Sequence, residues 1–365
     1  MALAPGARLA VTGADPHLPV HLAAWARARG HQVDGTTIVK GSAADDRWRH
    51  AERAGGPGPG GVVKRASPKW GLAARGALVE AGGPSLDVSD LVDRVEVWAD
   101  IAPKLYAQAV ASQWDPAAIG WDAEVDLAPE VEAAVVQVMT YLVENEQAAL
   151  MVPARFIGRI HPHFREVVQL LAVQIADEAR HIEVFTRRAL LKGTQLGVSG
   201  AGGRASLQTL LHETDFSLSS FLLSVLGEGT FLSLLSFLER HAPDPVTRQV
   251  ARLALQDEAR HVAFAQAHLE YRVAQDPGFR DRLRAAMVRR HDSLASSAGL
   301  NADVFDALVL LAAGEWSAAA LARGWDRVQE LQSAMDEGRQ RRLVRLGFPA
   351  ADAAELSALH TRNFM

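Results

Sequence analysis

The pentapeptide Asp-Glu-Ala-Arg-His stands twice in this chain of 365 residues, at 177–181 and again 80 residues later at 257–261. Each copy sets a glutamate three residues before a histidine. On an α-helix such positions share one face, with side chains about 5–6 Å apart. Glu178 with His181, and Glu258 with His261, would therefore each aim a carboxylate and an imidazole the same way. The repeat predicts two helical hairpins of one design that bury these faces against each other.

Hairpin geometry then tests for further acidic residues at the same height. Asp244-Pro245 marks a helix start, a capping side chain followed by proline at the first helical position. Glu258 lies 13 residues beyond Pro245, about 20 Å at 1.5 Å per residue. Counting 13 residues back from His241 along an antiparallel partner reaches Glu228, the one acidic residue between Asp215 and Glu239. A carboxylate in that apolar stretch must be paired, protonated or bound to metal.

In the first hairpin, a turn at His161-Pro162-His163 puts Glu178 about 16 residues into its helix. Its partner helix offers Glu144 and Glu146. Around Glu146, the positions three, four and seven away hold Met139, Leu142, Val143, Ala149, Leu150 and Pro153. Around Glu144 they hold Gln137, Thr140, Tyr141, Gln147, Ala148 and Met151, a more mixed set. A bundle ligand belongs on the apolar face, so Glu146 is preferred and Glu144 is kept as the alternative. Pro153 is expected to kink this helix.

With two Glu-x-x-His pairs and two spaced glutamates, the chain resembles the ferritin-like di-iron carboxylate oxygenases and oxidases. That superfamily includes multicomponent monooxygenases, acyl-carrier-protein desaturases and ribonucleotide reductase small subunits. The resemblance covers about residues 125–275. It implies an all-α fold, a ferritin-like four-helix bundle with flanking helices. It implies that Glu146, Glu178 and His181 hold one iron and Glu228, Glu258 and His261 the other, with some carboxylates bridging. In the monooxygenase branch the Asp before the Glu accepts a hydrogen bond from a ligand His, a role that falls on Asp177 and Asp257. Arg180 and Arg260 would neutralise those acids; the alternative is a pair of surface ion pairs.

The resemblance also implies an O2-activating oxidoreductase that hydroxylates, N-oxygenates or desaturates a small organic substrate. Two Fe ions are the expected cofactors, with manganese an alternative and O2 the co-substrate. A ferredoxin or reductase is expected as electron donor, because no flavin or nicotinamide motif is visible, and a homodimer is expected. The position where reductase subunits keep a radical tyrosine is Pro153, and the site of an additional histidine ligand in arylamine N-oxygenases is Ala254. Gly227 and Gly229 flank Glu228 and leave room for O2 or substrate, or for close helix packing. Phe185, Phe221 and Phe231 fall on the ligand faces as pocket candidates or as core.

Composition narrows the rest. With 38 basic and 43 acidic side chains the net charge is −5, which gives no nucleic-acid footprint. The absence of cysteine excludes disulfides, thiolate metal sites and cysteine nucleophiles. Residues 216–238 come nearest to a membrane span but carry four serines before Glu228, which suits a bundle helix better. No signal peptide is read at the N-terminus, and the cytoplasm is the expected location.

Residues 1–86 differ in character and are expected to form a small accessory α/β or irregular segment. A strand is expected over 8–13, a helix over 18–29 and a Gly/Pro-rich loop over 54–62. The helical domain then spans 87–365, with its core at 128–273. One helix is expected over 90–112, core helices over 128–159, 162–191, 215–241 and 245–273, and a Gly-rich crossover over 193–203. Flanking helices come next at 277–294, 302–322 and 324–345, with a short one after Pro349. Two other classes stay open: a ferritin- or rubrerythrin-like ferroxidase or iron store, and a non-catalytic ferritin-like scaffold.

Overall fold

The computed structural model describes residues 3–42, 48–193, 195–295 and 302–359. They divide into two compact units.

The smaller unit comprises residues 1–92 with 161–163. Strand β1 (Arg8–Ala10), helix α1 (Leu18–Ala28) and strands β2 (Gln32–Asp34) and β3 (Thr37–Val39) come first. They build an antiparallel sheet of order β1-β3-β2, with Leu9 opposite Ile38 and Val33 opposite the same residue. Strands β4 (Glu52–Arg53) and β5 (Leu78–Val79) pair separately. Within this unit His163 Nε2 accepts from the Val63 amide at 3.0 Å, and Arg75 Nη1 donates to His163 O at 3.1 Å.

The larger unit is helical. It opens with α2 (Arg94–Val97) and α3 (Ala102–Ala111), where one helix over 90–112 was expected. Trp98 is extended, with φ −83° and ψ 145°, and its indole N–H donates to Asp100 Oδ1 at 2.6 Å. Pro103 is the second residue of α3, a position that needs no amide donor but would break a longer helix.

The four core helices come next. They are α4 (Pro129–Ile157), α5 (Arg165–Ala189), the continuous stretch Phe216–His241, and α9 (Pro245–Gln275). α4 continues through Pro153. The connection between the halves carries α6 (Ala201–His212), where a loop was expected to 203; Thr194 of that loop lies outside the described residues. The third core element is not uniform. It begins as α7 (Phe216–Ser220), passes through a π segment at Phe221–Glu228, and continues as α8 (Gly229–His241). By length and composition alone it could cross a membrane, as the sequence of 216–238 already suggested. Most of it is buried, so it is a core helix here, as expected.

Short turns make α4 antiparallel to α5 and α8 antiparallel to α9, and α5 also packs on α9. The α9 start obeys its sequence signal, with Asp244 Oδ1 accepting from the Thr247 amide at 2.8 Å. Asp244 also joins a buried clamp with Arg188, whose guanidinium bonds both oxygens of Glu132 at 2.7 and 2.9 Å. Apolar residues of α4, α5, α8, α9, α11 (Ala302–Ala313) and α12 (Ala318–Arg345) share one core, which holds Phe185 and Phe231. Helices α10 (Phe279–Ala295) and α13 (Ala350–Ala358) complete the unit. The chain breaks between α11 and α12 at Gly314, φ 75°, with a bend of 115° and Ser317 capping α12, not at 323 as expected.

Candidate metal centre

Four helical elements deliver six buried side chains to the middle of the bundle. Glu146 comes from α4, Glu178 and His181 from α5, Glu228 from the last residue of the π segment, and Glu258 and His261 from α9. Glu178, His181 and Glu258 have no exposed surface. Glu144, the alternative, is only half-buried and lies outside the cluster.

These side chains form two overlapping groups. One oxygen or nitrogen from each of Glu146, Glu178, His181 and Glu258 lies within 4.8 Å of the others, and the same holds for Glu178, Glu228, Glu258 and His261. Glu178 and Glu258 belong to both. Glu178 turns Oε2 to His181 Nδ1 and Oε1 to His261 Nδ1, each at 3.1 Å. Glu258 likewise turns Oε1 to His181 Nδ1 at 3.4 Å and Oε2 to His261 Nδ1 at 3.5 Å. Each shared carboxylate thus presents one oxygen to either imidazole, the arrangement that lets a carboxylate span two cations.

The far side of each imidazole is held by the other repeat. His181 Nε2 lies 3.2 Å from Asp257 Oδ2, and His261 Nε2 lies 3.2 Å from Asp177 Oδ2. Arg180 pairs with Asp177 of its own motif and reaches Asp257 Oδ2 at 3.2 Å. Arg260 pairs with Asp257 and reaches Asp177 Oδ2 at 3.5 Å. Both aspartates are buried, so these are not surface ion pairs. An Nε2–H fixed on a carboxylate leaves the Nδ1 lone pair facing the glutamates, the tautomer a metal requires.

Three partners were missed from sequence. Trp114 Nε1 donates to Asp257 Oδ2 at 2.7 Å, and its indole stacks on the His181 ring at 6.3 Å between centroids. Gln113 Nε2 donates to Asp177 Oδ1 at 3.1 Å. Both sit in the loop after α3, where no periodicity points inward. Gln174 Nε2 lies 3.4 Å from Glu228 Oε1; an amide one turn before Glu178 on the same face was a readable signal. The space beside Gly229 is not open to O2 or substrate. A Cβ there would stand 2.5 Å from Arg342 Nε. Phe221 is fully buried, like Phe185, whose ring lies 6.2 Å from that of His181.

The electrostatics describe a site short of positive charge. Burial pushes Glu146 and Glu228 well above the usual carboxylate range, and the neighbouring Glu178 and Glu258 push the same way. For Glu178 burial acts upward too, but His261 and His181 outweigh it and hold it far below that range. Burial opposes the imidazolium of His181, yet Asp257, Glu146, Glu178 and Glu258 together raise it well above its ordinary value. His261 is raised against burial by Glu178 and Glu258 first. Burial likewise opposes ionised Asp257, which His181 holds far below the ordinary value.

The donor set fits a pair of divalent cations. Glu146 Oε1 and Glu228 Oε2 are buried with no hydrogen-bond partner, while Glu178 Oε1, both Glu258 oxygens and His261 Nδ1 are buried with only the ion-pair contacts above, which lack hydrogen-bond geometry. Such groups are costly to bury unless something binds them. Four carboxylates balance two dications, and a carboxylate-rich set with one imidazole per cation suits Fe(II) or Mn(II) better than copper or a thiolate-seeking ion.

No protein-family model and no curated protein sequence matches this chain. Among solved structures, an R2-like ligand-binding oxidase from Sulfolobus acidocaldarius is similar at 16% identity, covering 65% of this chain and 90% of that one, with TM-score 0.44. An R2-like ligand-binding oxidase with an aerobically reconstituted metal cofactor aligns at 17% identity over 70% of this chain and 89% of its own, TM-score 0.44. A protein with aldehyde deformylating oxidase activity from Synechococcus aligns at 18% identity over 64% of this chain and 98% of its own, TM-score 0.47.

Proposed function

We propose that this chain is a non-haem di-metal oxidase that uses O2 on a small organic substrate. The observation that carries the reading is the pair of overlapping four-residue groups sharing Glu178 and Glu258, with six buried polar atoms that make no hydrogen bond. Glu146 and His181 would complete one iron position, Glu228 and His261 the other, with manganese the alternative at either. When bound, the two ions supply the electrons and coordination positions that reduce O2 beside the substrate.

The chain's own residues do the rest. Asp257 and Asp177 hold the Nε2 protons of His181 and His261, which fixes both rings. Trp114 and Gln113 brace those aspartates from the loop after α3. Glu228 offers Oε2 while Gln174 engages Oε1. Phe185, its ring 6.2 Å from that of His181, would help keep water from the centre, with Phe221 and Phe231 buried in the same unit. Hydroxylation, N-oxygenation and desaturation are the candidate outcomes. A ferredoxin or reductase would restore the electrons, in a cytoplasmic homodimer.

The test is iron per chain after anaerobic Fe(II) loading, brief exposure to air and desalting. Two per chain with O2 consumed supports the oxidase. Tens per chain would instead mean storage, and none with an intact helical fold would sink the two-metal reading.

A further inference from the structure

Arg342 belongs to α12, outside the four core helices, yet its guanidinium reaches the element that carries Glu228. Its Nε donates to the carbonyl of Val225 at 2.7 Å, inside the π segment Phe221–Glu228. Two glycines clear its path. A Cβ on Gly229 would lie 2.5 Å from Arg342 Nε, 2.6 Å from Cζ and 2.9 Å from Nη2, and a Cβ on Gly338 would lie 3.2 Å from Nη1. The guanidinium therefore occupies the place a side chain at 229 would need.

The hydrogen bonds show why an outside donor is wanted there. In a π turn each amide reaches back five residues instead of four, and the return to α-helix leaves carbonyls without their regular partners. Here the Gly229 amide lies within reach of Ser224 O, five residues back, as well as Leu226 O and Gly227 O. Leu226 O is taken by the Thr230 hydroxyl at 2.7 Å, and Val225 O by Arg342. Both carbonyls just before Gly227 thus have side-chain donors. Burial pushes the Arg342 guanidinium down to about 10, with Arg339 and Arg341 adding to the effect. Burying the guanidinium is unfavourable by itself, and its bond to Val225 O offsets part of that cost.

We propose that Arg342 is a positioning residue: by bonding Val225 O from α12, it holds the π turn whose last residue, Glu228, faces Glu178, Glu258 and His261. The proposal rests on reading that cluster as a two-metal centre. A π turn inserts extra chain within one hydrogen-bonded ring and so rotates the residues after it. Relaxing it to α-helix would turn the Glu228 carboxylate away. Mutating partners one layer out from a metal typically weakens binding about 10- to 100-fold. Only the ion held by Glu228 and His261 should feel this loss.

The test combines Mn(II) titration of the full chain with amide hydrogen exchange over residues 226–231, on R342M, R342K, G229A and the G229A/R342M double variant. R342M and G229A should each weaken one of two Mn(II) ions about 10- to 100-fold, leave the other within a factor of about three, and speed exchange in that segment alone. R342K should recover part of both. The double variant should be no worse than the poorer single, because either change removes the same contact. Unchanged exchange in the singles, fully multiplicative losses in the double, or equal weakening of both ions with faster exchange throughout the bundle would overturn the proposal. If the wild-type chain bound no Mn(II), the two-metal reading would fall, while the exchange data would still decide what Arg342 does.

Discussion

His181 Nε2 and Asp257 Oδ2 stand 3.2 Å apart across 76 residues of chain, and His261 meets Asp177 at the same 3.2 Å across 84. Each repeat therefore supplies the orienting acid for the imidazole of the other. Replacing Asp257 with Asn should leave a folded bundle while weakening metal binding about 10- to 100-fold. A Mn(II) titration of D257N with a helical circular dichroism control checks this, and wild-type affinity would refute the role.

The shared glutamates make a sharper prediction. Glu178 and Glu258 stand in both four-residue groups, whereas Glu146 and Glu228 stand in one each. Metal analysis of E258A should find both ions lost, and E146A should retain one per chain. Equal loss in the two variants would show that the carboxylates do not divide in this way.

Arg188 is fully buried against Glu132, Asp244 and Thr247, at distances of 2.7 to 3.3 Å. It joins the start of α4, the end of α5 and the cap of α9. R188M leaves two carboxylates without their cation, at a cost of about 3–5 kcal/mol. Urea unfolding should register that loss and R188K should recover little of it, since one ammonium cannot match the forked contacts. A loss under about 1 kcal/mol would mean the clamp is not what ties these ends together.

His268 gives the pH dependence. It is fully buried, with Nδ1 3.0 Å from Trp98 O and Nε2 2.8 Å from the Ser217 hydroxyl. Burial, more than any other influence, pushes its pKa from 6.5 down to about 4. A histidine kept neutral by folding contributes stability that is complete above pH 6.5 and is lost as pH falls toward 4, because the unfolded chain takes the proton first. The full span is about 3 kcal/mol. Unfolding free energies of wild type and H268Q should converge by this order between pH 7 and 4. A constant difference between them would show that His268 does not titrate in this way.

How much of this was legible in the sequence depends on what each signal measures. Counting from Asp244-Pro245 and His241 located Glu228, because helix rise and a tight turn fix the height of a facing residue. The apolar neighbours of Glu146 separated it from Glu144, and the structure has Glu146 1% exposed. Periodicity could not show the π segment, since one extra residue in a turn leaves an all-apolar stretch looking unchanged. It also missed the break at Trp98, which depends on an indole-carboxylate bond and on Pro103. Gln113, Trp114 and Arg342 come from outside the core helices, and only tertiary packing brings them to the site. For Gly229 the sequence left open space and close helix packing undecided, and packing holds: the side chain that fills the place stands 113 residues later in the chain.

The crossed bonds between the two pentapeptides have a consequence for ancestry. Cut apart, either hairpin would keep an aspartate with no histidine to hold and a histidine with no aspartate to aim it. Two identical hairpins facing each other across a twofold axis would restore every one of those bonds, each acid reaching over to its neighbour. The internal repeat thus has the form of a symmetric dimer joined end to end. A substitution of the aspartate in one Asp-Glu-Ala-Arg-His copy therefore reaches the histidine of the other.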